Sequence, residues 1–183
     1  EAADEDVHSF VERKVIEVCG DLGKKMHTGK SRNDQVMTDM RLYMKSVSLE
    51  IQDSLCSIMR HLMERATQSL DILFPGFTHF QVGQPILLAH HFLAYFYKLE
   101  RDLDRFQANF KSIDVCPLGS GALAGNSYGI DRHQGANDLG FSTISRNSMD
   151  AVSDRDFVVE FLSSATLCMT HLSRLCEELV LWS

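Results

Sequence analysis

The run "DQVMTDMRLYMKSVSLEIQDSLCSIMRHLMERATQSL", Asp34 to Leu70, contains neither proline nor glycine. Its apolar residues Met37, Met40, Met44, Val47, Ile51, Leu55, Ile58 and Leu62 return every three to four positions, the period of one helical face. At about 1.5 Å per residue such a helix is on the order of 55 Å long. A chain of 183 residues cannot cover so long a rod, so the expected architecture is a bundle shared with other subunits.

On the N-terminal side, Val7, Phe10, Val11, Val15 and Val18 predict a shorter helix, with Asp4 or Asp6 as its cap and Gly20 at its end. Between the two helices lies "GKKMHTGKSRNDQ", Gly23 to Gln35, which sets Lys24, Lys25, Lys30 and Arg32 beside His27, Thr28, Ser31, Asn33 and Asp34. A linker of this length needs only a turn residue or two, and this one is dense in groups able to hold an anion. On the C-terminal side, "FPGFTHFQVGQP", Phe74 to Pro85, reads as a short turn holding Thr78, His79, Gln81 and Gln84 between rigid elements.

A third helix is expected from Pro85, a favoured first-turn residue, through Leu88, Phe92, Tyr95, Phe96, Leu99 and Leu103 to about Ile113. Glycines at 119, 121, 125, 129, 135 and 140 break regular structure, leaving a loop with one short helix near Asp131 to Leu139. Ser148 or Asp150 opens a last, heavily apolar helix marked by Val152, Phe157, Phe161, Leu167, Leu172, Leu175, Leu179 and Trp182. No alternating strand pattern stands out, so the fold class is all-α. The start at Glu1 on a helix approach, and the stop at Ser183 with a helix still running, lead us to expect a piece of a longer chain.

Composition narrows the function. The chain is 44% apolar and 23% charged, as globular proteins are. A formal charge of -7 without a basic run argues against nucleic acid. No apolar run approaches the length of a membrane span and residues 1 to 20 do not resemble a signal peptide, so a cytoplasmic location is expected. Cys19, Cys56, Cys116, Cys168 and Cys176 form no CxxC pair and are read as reduced, buried thiols. There is no HExxH and no Cys/His cluster at ligand spacing, and His90 and His91 are neighbours that face different ways on a helix, so no metal site is expected. "PLGSGALAGN", Pro117 to Asn126, lacks the lysine and hydroxyl of a phosphate loop.

Taken in order, "EDVHSFVE", "HTGKSRNDQVMTDMRL", "PGFTHFQVGQPI", "PLGSGALAGN" and "NSMDAVSDRDFVVEF" resemble the argininosuccinate lyases of the fumarase/aspartase superfamily across the whole of residues 1–183. "SRND" with "THFQ" favours these lyases over fumarase, aspartase or adenylosuccinate lyase. The resemblance implies a partial lyase domain, mostly the central helical domain that assembles into a twenty-helix tetramer core, with N-terminal and C-terminal parts outside this chain. It also implies homotetramers with active sites shared among three subunits, and a reaction without metal or organic cofactor.

That reaction is a β-elimination splitting argininosuccinate into arginine and fumarate. Ser31, Arg32 and Asn33 carry over as binders of the substrate's carboxylates, placed where a helix N-terminus favours an anion. His79 carries over as the general acid/base. Thr78, Gln81 and His8 carry over as substrate-binding groups, although His8 can equally pair with Glu12 one helical turn on. His27 either lines the pocket or braces the turn. Ser153, Asp154, Arg155 and Asp156 are expected to cap a helix and to form ion pairs between subunits.

A glycine-serine loop resembling "GSSxMPxKxNP", which in these lyases supplies a serine, an asparagine and a lysine, is not present in the chain. Lys30, Phe77 and the pair Val82-Gly83 stand where arginine, tyrosine and an Arg-Ala pair are common, which removes a planar fork, a hydroxyl and a cation but no proposed catalytic group. The rival readings are a δ-crystallin-like lens protein with the same fold and another superfamily lyase.

Overall fold

The computed structural model describes residues 4–183, and the helix approach read at Glu1 lies outside them. It divides into two compact units, one running up to Arg41 and including Val115–Asp154, the other made of Leu42–Asp114 and Arg155–Ser183.

In the first unit, α1 (Val7–Cys19) starts at Asp6, whose carboxylate accepts from the Ser9 N–H at 2.7 Å, and ends at Gly20 with φ 62°. None of its residues is fully buried. The expected linker is a 3-10 helix, Gly20–His27, followed by α2 (Arg32–Thr67). In the glycine-rich region, β3 (Val115–Cys116) pairs in parallel with β4 (Thr143–Ile144). Between them α4 (Arg132–Asp138) forms where a short helix was expected, with the Asp131 side chain accepting from His133 and Gln134. A small core of Met37, Cys116, Ala136, Phe141 and Ala151 holds these pieces.

The second unit contains the rest of α2, a hairpin of β1 (Leu73–Thr78) and β2 (Gln81–Leu87), then α3 (Leu88–Ile113) and α6 (Asp156–Trp182). Leu55, Leu62, Tyr95, Leu99, Phe106 and Cys168 form its buried core. Phe157 is fully buried, and its carbonyl accepts from the Asn109 amide at 3.0 Å. Asp102, also fully buried, accepts from His171 Nδ1 at 2.6 Å and from Arg105 Nη1 at 2.8 Å, joining α3 to α6.

The long-helix architecture is the expected one, with five local differences. The stretch from Phe74 to Pro85 is a hairpin rather than a short turn, and α3 starts at Leu88 because Pro85 lies in β2, opposite Pro75. Proline's fixed φ suits extended backbone as well as a helix start. The last helix is broken into α5 (Ser148–Ser153) and α6, since Asp154 takes extended angles, and Asn147 is the residue that caps α5. Only Cys116 and Cys168 are buried; Cys19, Cys56 and Cys176 are exposed, and all five are free thiols.

Candidate functional site

The candidate residues fall into two groups, one in each unit. At the hairpin tip, Thr78 and Gln81 face each other across the ladder and His79-Phe80 form the two-residue loop. His79 has φ 52° and Phe80 φ 59°, the left-handed pair of a type I′ turn. Such turns favour Asn-Gly, because each residue carrying a Cβ in this region costs about 1–2 kcal/mol. Two bulky residues there carry backbone strain, and such strain gathers at working sites. The tip is exposed, with Phe80 at 83%.

The base of the hairpin is firmly seated. Phe74 packs edge-on against Trp182, ring centroids 4.7 Å apart, and also lies against His91. The Leu88 N–H donates to the Ile72 carbonyl at 2.9 Å. A Cβ at Gly76 would lie 2.8 Å from the Gln84 carbonyl oxygen, so close approach of the strands requires glycine. Burial lowers the pKa of His91 against the opposing pull of Glu178, whose carboxylate lies 3.1 Å away without hydrogen-bond alignment. Burial, with Glu178 nearby, raises the pKa of the Tyr95 phenol.

The other group surrounds the first turn of α2. Ser31 sits just before the helix, and its Oγ accepts from the Asn33 N–H at 3.3 Å. Asp34 accepts from the Ser31 N–H at 2.8 Å, completing a reciprocal cap. The Asn33 side chain is exposed and donates one amide N–H to the Ala122 carbonyl at 3.0 Å. "PLGSGALAGN" is therefore folded against the start of α2. Arg32 donates to Glu12 at 3.0 Å and to Gln35 at 2.9 Å, with Asp6 at 3.6 Å, so its fork joins α2 to α1. His8 pairs with Asp39 at 3.3 Å, not with Glu12. Glu12 instead receives His27, at 3.0 Å, and Arg32. Burial raises the pKa of Glu12, but hydrogen bonds from His27 and Arg32 outweigh it and the net shift is downward.

Ser31, Arg32, Asn33 and His8 thus come together in one unit, while Thr78, His79 and Gln81 belong to the other. Sequence reasoning missed the fully buried Asp34 as the hub of the first group. The S-x-x-D spacing was its one local signal, since its other partners lie 85 and 87 positions away. The Asp102–His171 pair, 69 positions apart, left no signal. Among the described residues no cluster of three or more His, Cys, Asp or Glu is placed to hold a metal ion, and no helix is long and apolar enough to cross a membrane.

A family model described as lyase matches residues 1–183. The chain is 53% identical over 179 residues to the argininosuccinate lyase of Oceanobacillus iheyensis, covering 98% of this chain and 39% of that protein. With the argininosuccinate lyase of Caldanaerobacter subterraneus the figures are 53% over 180 residues, 98% and 41%. The chain thus spans about two fifths of the length of these curated relatives. Among solved structures, EDDS lyase in complex with formate matches with a TM-score of 0.89 and 30% identity, covering 94% of this chain and 35% of that one. A class II fumarase from Schistosoma mansoni, at 18% identity, 82% and 36% coverage and a TM-score of 0.73, shares the fold.

Proposed function

The chain belongs to the lyase family whose model it matches from end to end, and from that premise we propose that it is part of an argininosuccinate lyase subunit, supplying two of the parts from which the active site is built. The reaction is β-elimination. A proton leaves the carbon next to a carboxylate, the neighbouring C–N bond breaks, its electron pair leaves with the guanidinium nitrogen, which is protonated, and arginine and fumarate result.

Negative charge grows on that carboxylate before the C–N bond breaks, so fixed donors there lower the barrier most. The N-terminal end of α2 is suited to this. Ser31 and the second amide N–H of Asn33 bind the carboxylate, the helix terminus adds its dipole, and Arg32 adds positive field while its fork holds α1. His8 lines the same cradle.

His79 is the general acid/base, flanked by Thr78 and Gln81 as substrate-binding groups. The observation that carries this reading is the left-handed His79-Phe80 turn, which holds an imidazole at an exposed tip in a conformation that neither residue adopts readily. We further propose a cytoplasmic homotetramer in which each site draws on three subunits, a glycine-serine loop from outside this chain completing it. The apolar residues left exposed along α2 and α6, Tyr43, Leu49, Met63, Val159, Leu162 and Met169 among them, support such an assembly.

The test is fumarate absorbance released from argininosuccinate by the complete subunit, with adenylosuccinate, aspartate and malate as a panel. His79→Asn is the decisive variant, because asparagine tolerates the left-handed turn and removes only the proton-transfer group. A fall in kcat on the order of 10²–10⁴-fold with an unchanged melting temperature is expected. An intact tetramer that releases no fumarate from argininosuccinate overturns the proposal.

A further inference from the structure

We propose that Asp34 is a positioning residue for the carboxylate cradle, acting through the 119–122 bend on the amide of Asn33; the inference rests on the function proposed above.

Asp34 is fully buried, and the three donors that its carboxylate receives are all backbone amides. Oδ1 takes the Ser31 N–H at 2.8 Å and so closes the first turn of α2. Oδ2 takes both the Gly119 N–H at 3.0 Å and the Gly121 N–H at 2.8 Å. One oxygen thus serves the helix and the other latches a loop more than eighty positions away. A carboxylate meets all three donors with acceptors, whereas asparagine has a single acceptor oxygen, so in either orientation its NH2 faces at least one of these N–H groups.

The latched bend has little freedom of its own. Gly119, Gly121 and Gly125 have φ 91°, 62° and 80°, and the Gly125 N–H donates to the Ser120 carbonyl at 2.7 Å. A Cβ at Gly121 would lie 2.4 Å from the Gly125 carbonyl oxygen, a separation that no side chain can occupy. Arg132 secures the opposite side, donating to the Leu118 carbonyl at 3.3 Å and to the Ser145 carbonyl and hydroxyl at 3.2 Å and 2.7 Å.

Held between Asp34 and Arg132, the bend presents the Ala122 carbonyl to Asn33 Nδ2 at 3.0 Å. That bond takes one of the two amide protons and fixes the plane of the amide. The other proton is left to the substrate carboxylate in a set direction. Asn33 is exposed, so without the bend its side chain would sample several rotamers and hold the donor in place only part of the time. Asp34 touches no substrate; its effect passes through the bend to a group that does.

The experiment is a double-mutant cycle in the complete subunit, reading kcat/KM for argininosuccinate in the parent, Asp34→Asn, Asn33→Ala and the double variant, with assembly checked by light scattering. Each single substitution should lower kcat/KM roughly tenfold to a hundredfold, the range for losing an oriented hydrogen bond to a charged group. If Asp34 acts through Asn33, the double variant is no worse than Asn33→Ala alone. Multiplying losses show that Asp34 matters in some other way and overturn the proposal. Gly121→Ala displaces the same bend from its other side and replaces Asp34→Asn in the cycle should that variant fail to assemble. If neither assembles, the latch is only a folding element and the proposal falls. A parent that releases no fumarate overturns the function proposed above and this inference with it, whereas an active parent with multiplying losses overturns the positioning role alone.

Discussion

His79 and Phe80 hold two consecutive left-handed angles without a glycine between them, and the energetic consequence can be measured. Phe80 is 83% exposed, so replacing it by glycine loses little burial and relieves the Cβ clash. Phe80→Gly is expected to stabilise the fold by about 1 kcal/mol, visible as a raised melting temperature. It is also expected to lower kcat, because a looser tip holds the imidazole less firmly; a variant that is both more stable and equally active would show that the strain serves no purpose. That His79 is a candidate was legible in the sequence from its neighbours. Its backbone was not, since nothing in "THFQ" announces positive φ. Asp34 was visible as one polar residue among many, and its place could not be read because the glycines it binds lie more than eighty positions along the chain.

Elements show the same division between local and distant causes. Asp6, Gly20 and Asp131 mark ends that depend on a residue's immediate neighbours, and α1 and α4 appear where these residues place them. The hairpin escaped notice because Pro75, Gly76, Gly83 and Pro85 interrupt any alternation of apolar and polar residues. Its base is seated against Trp182, more than a hundred positions from Phe74. Two expectations test how elements are held together. Asp102→Ala removes the buried carboxylate shared by His171 and Arg105, and with a partly exposed arginine left behind the loss should be about 2–3 kcal/mol, read as a lowered urea midpoint. Glu12 ties α1 to His27 and to Arg32 of α2. Its folded pKa lies below the ordinary 4.5, so its contribution is complete above that value and is lost as pH falls through the depressed one. Protection of the α1 amides, taken relative to their intrinsic exchange rates, should therefore weaken on acidification below pH 4.5, and Glu12→Gln should reduce that weakening, with the depressed carboxyls of Asp6 and Glu17 supplying the rest.

At the level of the molecule, the length of one helix was the most informative feature, because it set the long-helix fold class whatever its side chains do. Which residues of α2 and α6 stay exposed could not be read from period alone, since an apolar face looks the same whether this chain or another covers it. The same holds for the site. Asn33 and His79 lie in different units, and the proposed function requires them to meet across subunits. Mixing two impaired proteins tests this directly. Asn33→Ala weakens the cradle and His79→Asn lacks the proton-transfer group, so neither homotetramer should exceed about a tenth of the parent activity. In hybrids refolded from an equal mixture, a site drawing its cradle from one subunit and its histidine from another receives both intact groups by chance in about one case in four. Recovery toward a quarter of the parent activity is thus expected after co-refolding and not after simple mixing of preformed tetramers. If cradle and histidine served a site from the same subunit, every site would carry one defect or the other and the mixture would stay at or below about a tenth of the parent activity.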